Sequence, residues 1–444
     1  MKLRSSAALS VTAFLAAGCP AAPVSKPGLP PRFLPDAGAT GATDAGAGAD
    51  AGPFATAAHS TTLIPDNGGP TLGNATAVYI TFANDPNRAY IEGLGRFLST
   101  SHWLEIVGPQ YGITSLGSLA IGLQQSAPST LTDADLQSLL QQLLQDGTVP
   151  GGAVDAGSVT PDAGAATADG GASTLDAGAR AHDGGAADAG PGDAGATPQY
   201  VYLFFLPAST AFTNGGQALC SFSGGGYHNE TQLSNLDVPY AVVQPCPAQG
   251  LTDLDVLQLA ASHELIEALT DPYPVSQPAY AIKDPMYPLA AFGGEVGDAC
   301  SFLAPRSWSE GSYDQLQRVW SNSSAADGGD PCLPAPSPYF GTSLTPETAV
   351  AVAAGQSATF QLVGWSTAPV APWTLEAQNI PIMGGQSFDS LPRLTPTLLN
   401  NGGQATLTLT VPQGTPSGSY SIVLVYSVHS QQDFTGSFAL IYVP

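Results

Sequence analysis

The chain has 444 residues, enough for two or three domains. It carries 35 Asp plus Glu against 11 Lys plus Arg. That acidic balance disfavours nucleic acid and anionic lipid surfaces as partners.

Lys2 and Arg4 form a short basic region, and residues 7–17 are apolar but too short to span a bilayer. The run Leu15-Ala16-Ala17-Gly18-Cys19 then resembles a bacterial lipobox, with Ala16 where leucine is commonest. The expectation is a signal peptide over 1–19, with lipid on the Cys19 thiol. The exported chain would then be held at the cell envelope, at the outer membrane or cell surface. No other segment is long and apolar enough to cross a membrane. Residues 20–65 carry Asp36-Ala37-Gly38, Asp44-Ala45-Gly46 and Asp50-Ala51-Gly52, and residues 148–197 repeat the theme at Asp155, Asp162, Asp176, Asp188 and Asp193. Such segments hold too little apolar surface to offset the entropy of ordering, and their spacing is too irregular for calcium-binding repeats. Both read as disordered linkers.

Ala77-Val78-Tyr79-Ile80-Thr81-Phe82 is a strand by its β-branched and aromatic content. Helices follow near 86–100 and 132–146, the second opened by Thr132 and Asp133 with leucines at 136, 139, 140, 143 and 144. Residues 200–206 form a continuous apolar strand stopped by Pro207, the pattern of a strand buried on both faces. The linker at 148–197 thus interrupts one α/β (or α+β) domain, spanning 70–335. Setting Cys19 aside leaves Cys220, Cys246, Cys300 and Cys332. Four cysteines in an oxidising compartment point to two disulfides, and sequence order favours Cys220–Cys246 and Cys300–Cys332 over the other pairings. From 336 to 444 helical patterns vanish. Strands near 348–352, 357–363, 404–411 and 419–427, separated by turn signals, predict an all-β immunoglobulin-like sandwich with a spacing or binding role.

The segment that carries chemistry runs from Leu251 to Pro274. Thr252 and Asp255 make a start like a capping box, and Pro272 enforces a stop. Within the helix, His263 and Glu267 are four residues apart and project from one face, where both can close on one ion. Glu264 sits between them, at the position of the zincin glutamate that activates water, although the second ligand position here is Glu and not His. His263, Glu264 and Glu267 occupy about a third of the helix circumference. The rest is apolar, so the helix should be buried, and buried carboxylates require a cation or a hydrogen-bond network. Further candidates are His228, in a glycine-rich stretch read as a loop approaching the helix, and Glu295 and Asp298 beside Cys300. A polar structural cluster or a solvated helix face are the plainer alternatives, and for the Glu295–Asp298 stretch a simple turn.

Three stretches carry a resemblance: residues 263–272, residues 295–300, and Tyr313 through Trp320-Ser321-Asn322. With Gly226-Tyr227-His228, where Gly225 stands in place of a cysteine, they resemble the EXORDIUM, or phosphate-induced, protein family and its bacterial relatives. The resemblance covers roughly 75–333 without the Asp/Ala/Gly insertion. It implies an extracellular domain with a zincin-like His-Glu-x-x-Glu helix, and its plant members are linked to cell-wall and growth roles. The leading expectation is a zinc-dependent, peptidase-like hydrolase acting on peptide or protein. His263 and Glu267 would be metal ligands, His228 or Asp298 the third ligand, and Glu264 the general base. The rival is a non-catalytic surface protein that binds cell-wall glycan or protein and holds a structural ion, calcium or zinc.

Overall fold

The computed structural model describes residues 54–59, 61–151, 199–222, 225–233, 236–248, 250–301, 305–335, 338–380, 386–430 and 433–444. The expected signal peptide and lipidation site at Cys19, the first linker as far as 53, and the insertion from 152 to 198 fall outside the described residues.

The first unit is built on a five-stranded sheet. Its strands are β1 (Asn74–Thr81), β2 (Ser115–Gly122), β3 (Gln199–Phe205), β4 (Gly226–Leu233) and β5 (Leu236–Val243), in the order β2-β1-β3-β5-β4. All neighbours pair in parallel except β4, which runs antiparallel to β5 at the edge. Successive side chains of a strand point to opposite faces, so one sheet serves two cores. On one face Tyr79, Leu203, Phe205 and Val243 pack against three helices: α1 (Arg88–Leu98), α2 (His102–Val107) and α4 (Asp253–Thr270). On the other, Ile80, Phe204 and Val242 pack against Leu136, Leu140, Leu143 and Leu144 of α3 (Asp133–Gln145). The helix expected at 86–100 is α1, followed after a short break by α2, whose N-terminus Ser101 caps.

Helix α4 lies almost wholly inside. Its buried residues run from Val256 to Thr270 with few interruptions. The Thr252–Asp255 capping box is present, each side chain paired with the other's backbone N–H. The sheet covers one side of the helix. A hairpin of β6 (Ser307–Glu310) and β7 (Tyr313–Gln317) packs against it as well. Gln258 Oε1 accepts from the amides of Asp314 and Gln315 (2.9 and 3.0 Å), and Ser262 Oγ from that of Gln317 (2.8 Å). Polar side chains of a buried helix thereby satisfy strand donors that would otherwise be orphaned. The disulfides are Cys220–Cys246 and Cys300–Cys332.

The C-terminal unit has two sheets. One is β8 (Phe340–Thr345), β9 (Ser357–Ser366), β12 (Gln404–Thr410) and β11 (Leu391–Thr395), in that spatial order; in the other, β14 (Asp433–Tyr442), β13 (Tyr420–Ser430) and β10 (Trp373–Ile380) lie between the short strands Val350–Ala351 and Leu398–Leu399. Phe360, Leu362, Leu407 and Leu409 of the first sheet share a core with Trp373, Val423, Val425 and Ile441 of the second.

Two linker boundaries need correcting. Within the stretch expected to be linker to 65, Ile64 is buried and its backbone N–H and C=O both bond Asn322. His59 stacks on Trp365 with ring centroids 3.7 Å apart. At the insertion, Val149 is buried and Pro150 O accepts from Tyr202 Oη. An apolar or aromatic side chain at each margin is enough to anchor what composition alone assigns to a tether.

Candidate metal centre

Six ionisable side chains meet where α4 passes the edge strand. His263, Glu264 and Glu267 come from α4, His228 from β4, and Glu295 and Asp298 from the segment that ends in the short helix Asp298–Cys300. His228 lies on a strand, not in the loop that its glycine-rich approach predicts. Its register with β5 runs unbroken from Gly226↔Val243 to Leu233↔Leu236. The period of two puts Gly226 and His228 on the α4 face and Tyr227 on the other. There Tyr227 and Tyr240 both donate to Asp133 Oδ1 of α3, which ties the strand down from behind. Gly226 is required: a Cβ there would lie 2.5 Å from Glu264 Oε1.

Glu267 is the hub. Its Oε1 accepts from the amides of Gly297 and Asp298, both at 3.1 Å. Its Oε2 lies 3.2 Å from His263 Nε2 and 3.5 Å from His228 Nδ1. His263 Nε2 is 3.7 Å from Asp298 Oδ1, and His228 Nε2 is 3.6 Å from Glu295 Oε1. Two sets of three ligand atoms result, each mutually within 4.8 Å: His263, Glu267 and Asp298, and His228, Glu267 and Glu295. Glu264 belongs to neither set; it stands 3.7 Å from His228 Nδ1. The backbone is shaped for this arrangement, since a Cβ at Gly297 would sit 2.8 Å from both Glu267 Oε1 and His263 Nδ1. The Cys300–Cys332 disulfide and the bond from Trp320 N to Val296 O (2.8 Å) hold the Glu295–Asp298 segment in place.

Most of the imidazole–carboxylate separations exceed the roughly 2.7–3.2 Å of a good N–H···O bond. They match the spacing of ligands on a tetrahedral ion, about 3.3 Å for bonds of about 2.0–2.1 Å. Mixed nitrogen and carboxylate donors at that spacing can hold a divalent metal.

Burial sets the electrostatics. The side chains of His228, Glu264 and Glu267 are 3–5 % exposed, whereas those of His263 and Asp298 are 17 and 18 % exposed, so the cluster opens at its His263–Asp298 end. Burial alone would depress His263, but Glu267, Glu264 and Asp298 outweigh it and push the imidazole up to about 10. His228 is likewise desolvated, yet Glu295, Glu264 and Glu267 hold it well above its usual value. Desolvation raises Glu264, Glu295 and Asp298. Glu267 goes the other way: burial would raise it, but His263 and His228 keep it below the carboxylate range.

A cavity of about 110 Å³, lined by Tyr287, Trp320, Tyr339 and Trp365 among others, includes none of the six side chains. Sequence reasoning missed Gly297, whose only signal is a small residue between two acidic ones, and the amides that fix Glu267.

No protein-family model matches the chain, and no curated protein matches it. Among solved structures, a family 123 glycoside hydrolase from Clostridium perfringens shows 12 % identity over 24 % of this chain, with a TM-score of 0.16. The match spans 27 % of that enzyme's length. A likeness that slight bears on neither fold nor activity. The two disulfides fit an exported protein. Among the described residues no helix is long and apolar enough to cross a membrane.

Proposed function

We propose that this chain is a metal-dependent hydrolase of peptide bonds, exported and held at the cell envelope by lipid on Cys19. The observation that carries the reading is the set His263, Glu267 and Asp298, spaced as ligands of one ion at the more open end of the cluster. Ring nitrogens among the donors favour zinc over calcium. When bound, the ion would supply Lewis acidity toward a scissile carbonyl. Glu264, outside the ligand set and with its carboxyl raised by burial, takes the proton of the attacking water and returns it to the leaving amine. Asp298 and Glu267 together lower the net positive charge of the site, which makes for a slow enzyme.

The edge position of β4 supports a peptide substrate. Among the described residues no other strand pairs with its outer side, and an extended chain can add to such an edge. A zincin-like relationship, and with it the EXORDIUM-like one, is consistent with a buried His-Glu-x-x-Glu helix beside an antiparallel edge strand. The test is metal analysis of the purified protein together with hydrolysis of a mixed peptide substrate, with and without chelator. Zinc bound by the wild type, reduced in His263→Ala, and hydrolysis abolished by chelation are the expected results. Bound calcium without hydrolysis would favour the non-catalytic surface protein, and a metal-free active protein would overturn the reading.

A further inference from the structure

We propose that the centre holds two divalent cations, with Glu267 bridging a second, deeper ion bound by His228 and Glu295. The inference rests on the metal-dependent reading above and extends it. His228 and His263 share no ligand set: the two groups of donors overlap in Glu267 alone. One ion at the His263 end therefore leaves His228 and Glu295 outside its ligand set. Both are nevertheless buried, their side chains 4 and 11 % exposed and 3.6 Å apart. No described residue donates a hydrogen bond to the Glu295 carboxylate.

Charge points the same way. Metal-bound imidazoles are neutral. With one divalent ion bound, ionising all four carboxyls of Glu264, Glu267, Glu295 and Asp298 would leave excess negative charge in a buried pocket, so desolvation keeps some of them protonated. A second divalent ion brings the cluster to neutrality. The donor geometry accommodates it. Oε1 of Glu267 is occupied by two amides, which leaves Oε2 facing both imidazoles, at 3.2 and 3.5 Å. A carboxylate shared in this way is how paired ions about 3.5–4 Å apart are held in two-metal sites. Asp271 O, 3.2 Å from His228 Nε2, can accept that ring N–H, which leaves Nδ1, the nitrogen facing Glu267, for the ion. The more open ion would then face substrate, and the deeper one would fix Glu267 and neutralise the interior.

The test is zinc stoichiometry after equilibrium dialysis of the full chain, read by elemental analysis. The wild type should bind two ions per chain. His228→Ala and Glu295→Gln should each retain one, Asp298→Asn should retain one, and Glu267→Gln should lose both. X-ray absorption of the zinc-loaded wild type gives a second readout that no variant's misfolding can spoil: a metal–metal scatterer at about 3.5–4 Å. One ion per chain, no metal–metal scatterer, and full zinc retention in His228→Ala would overturn the second ion while leaving the hydrolase reading intact. No zinc at all would overturn both.

Discussion

Glu264 differs from its neighbours in what its loss should do. It lies beside His228 but outside both ligand sets, so Glu264→Gln keeps shape and volume while removing the proton acceptor. Zinc content should match the wild type, and hydrolysis should fall about 10²–10⁴-fold. Elemental analysis and turnover on the same preparation check this, and a variant of unchanged rate would exclude Glu264 as the base. His263 makes a pH prediction with a definite sign. In the metal-free protein its imidazole is pushed up to about 10, above its unfolded value of about 6.5. The stability it contributes is fully present below pH 6.5 or so and is lost as pH rises through about 10. Zinc binding requires the neutral ring, so zinc affinity rises over the same window. The melting-temperature gap between zinc-loaded and chelator-treated protein should therefore widen from about pH 6.5 to 10. A gap that narrows across that range would remove His263 from the ligand set.

Helix α4 shows what the sequence could and could not say about the elements. Thr252 and Asp255 begin it, His263 and Glu267 share its ligand face, and apolar residues occupy the remainder. All of this follows from composition at a period of 3.6, because one buried helix imposes that period on its own residues. Thr252→Ala removes the cap and should cost about 1 kcal/mol. Zinc stoichiometry should hold, because the cap lies about three turns from His263. Urea unfolding and metal content, measured together, test the separation; loss of zinc would mean that the cap sets the position of the ligands. Strand β4 was harder to read. Its glycine-rich start signals a turn, and Gly226–Leu233 alternates polar residues on both faces, because one face meets a charged cluster and not an apolar core. Strand β2 has the same difficulty, with glycines and few fully buried positions in an outer strand. By contrast β12 buries every second residue and was plain from its alternation. Glu295 and Asp298 are flagged only by their place beside Cys300, since a segment with one short helical turn has no periodicity to aim them.

At the scale of the whole molecule, the interruption between α3 and β3 bears on how the first unit assembles. Its two ends are neighbours. A Cβ on Gly151 would lie 2.5 Å from Tyr202 Oη and 3.0 Å from the ring of Tyr200, so the chain leaves the fold against the strand it later rejoins at Gln199. Val149 is buried and Pro150 O is bonded to Tyr202, which places the proper cut after Gly151 and not at 148. Replacing residues 152–198 with a Gly/Ser bridge of about six residues requires no movement of β3. The loop shortens by about three halvings, which lowers its closure entropy by at most about 2 kcal/mol. The deletion variant should melt at the parent's temperature or a few degrees above it. Its zinc content should be unchanged, since all six side chains of the cluster lie beyond the cut. Thermal unfolding and elemental analysis beside the parent decide the matter. A marked drop in either would mean that the Asp/Ala/Gly segment packs against the domain or supplies ligands, and that its composition had been misread as a tether.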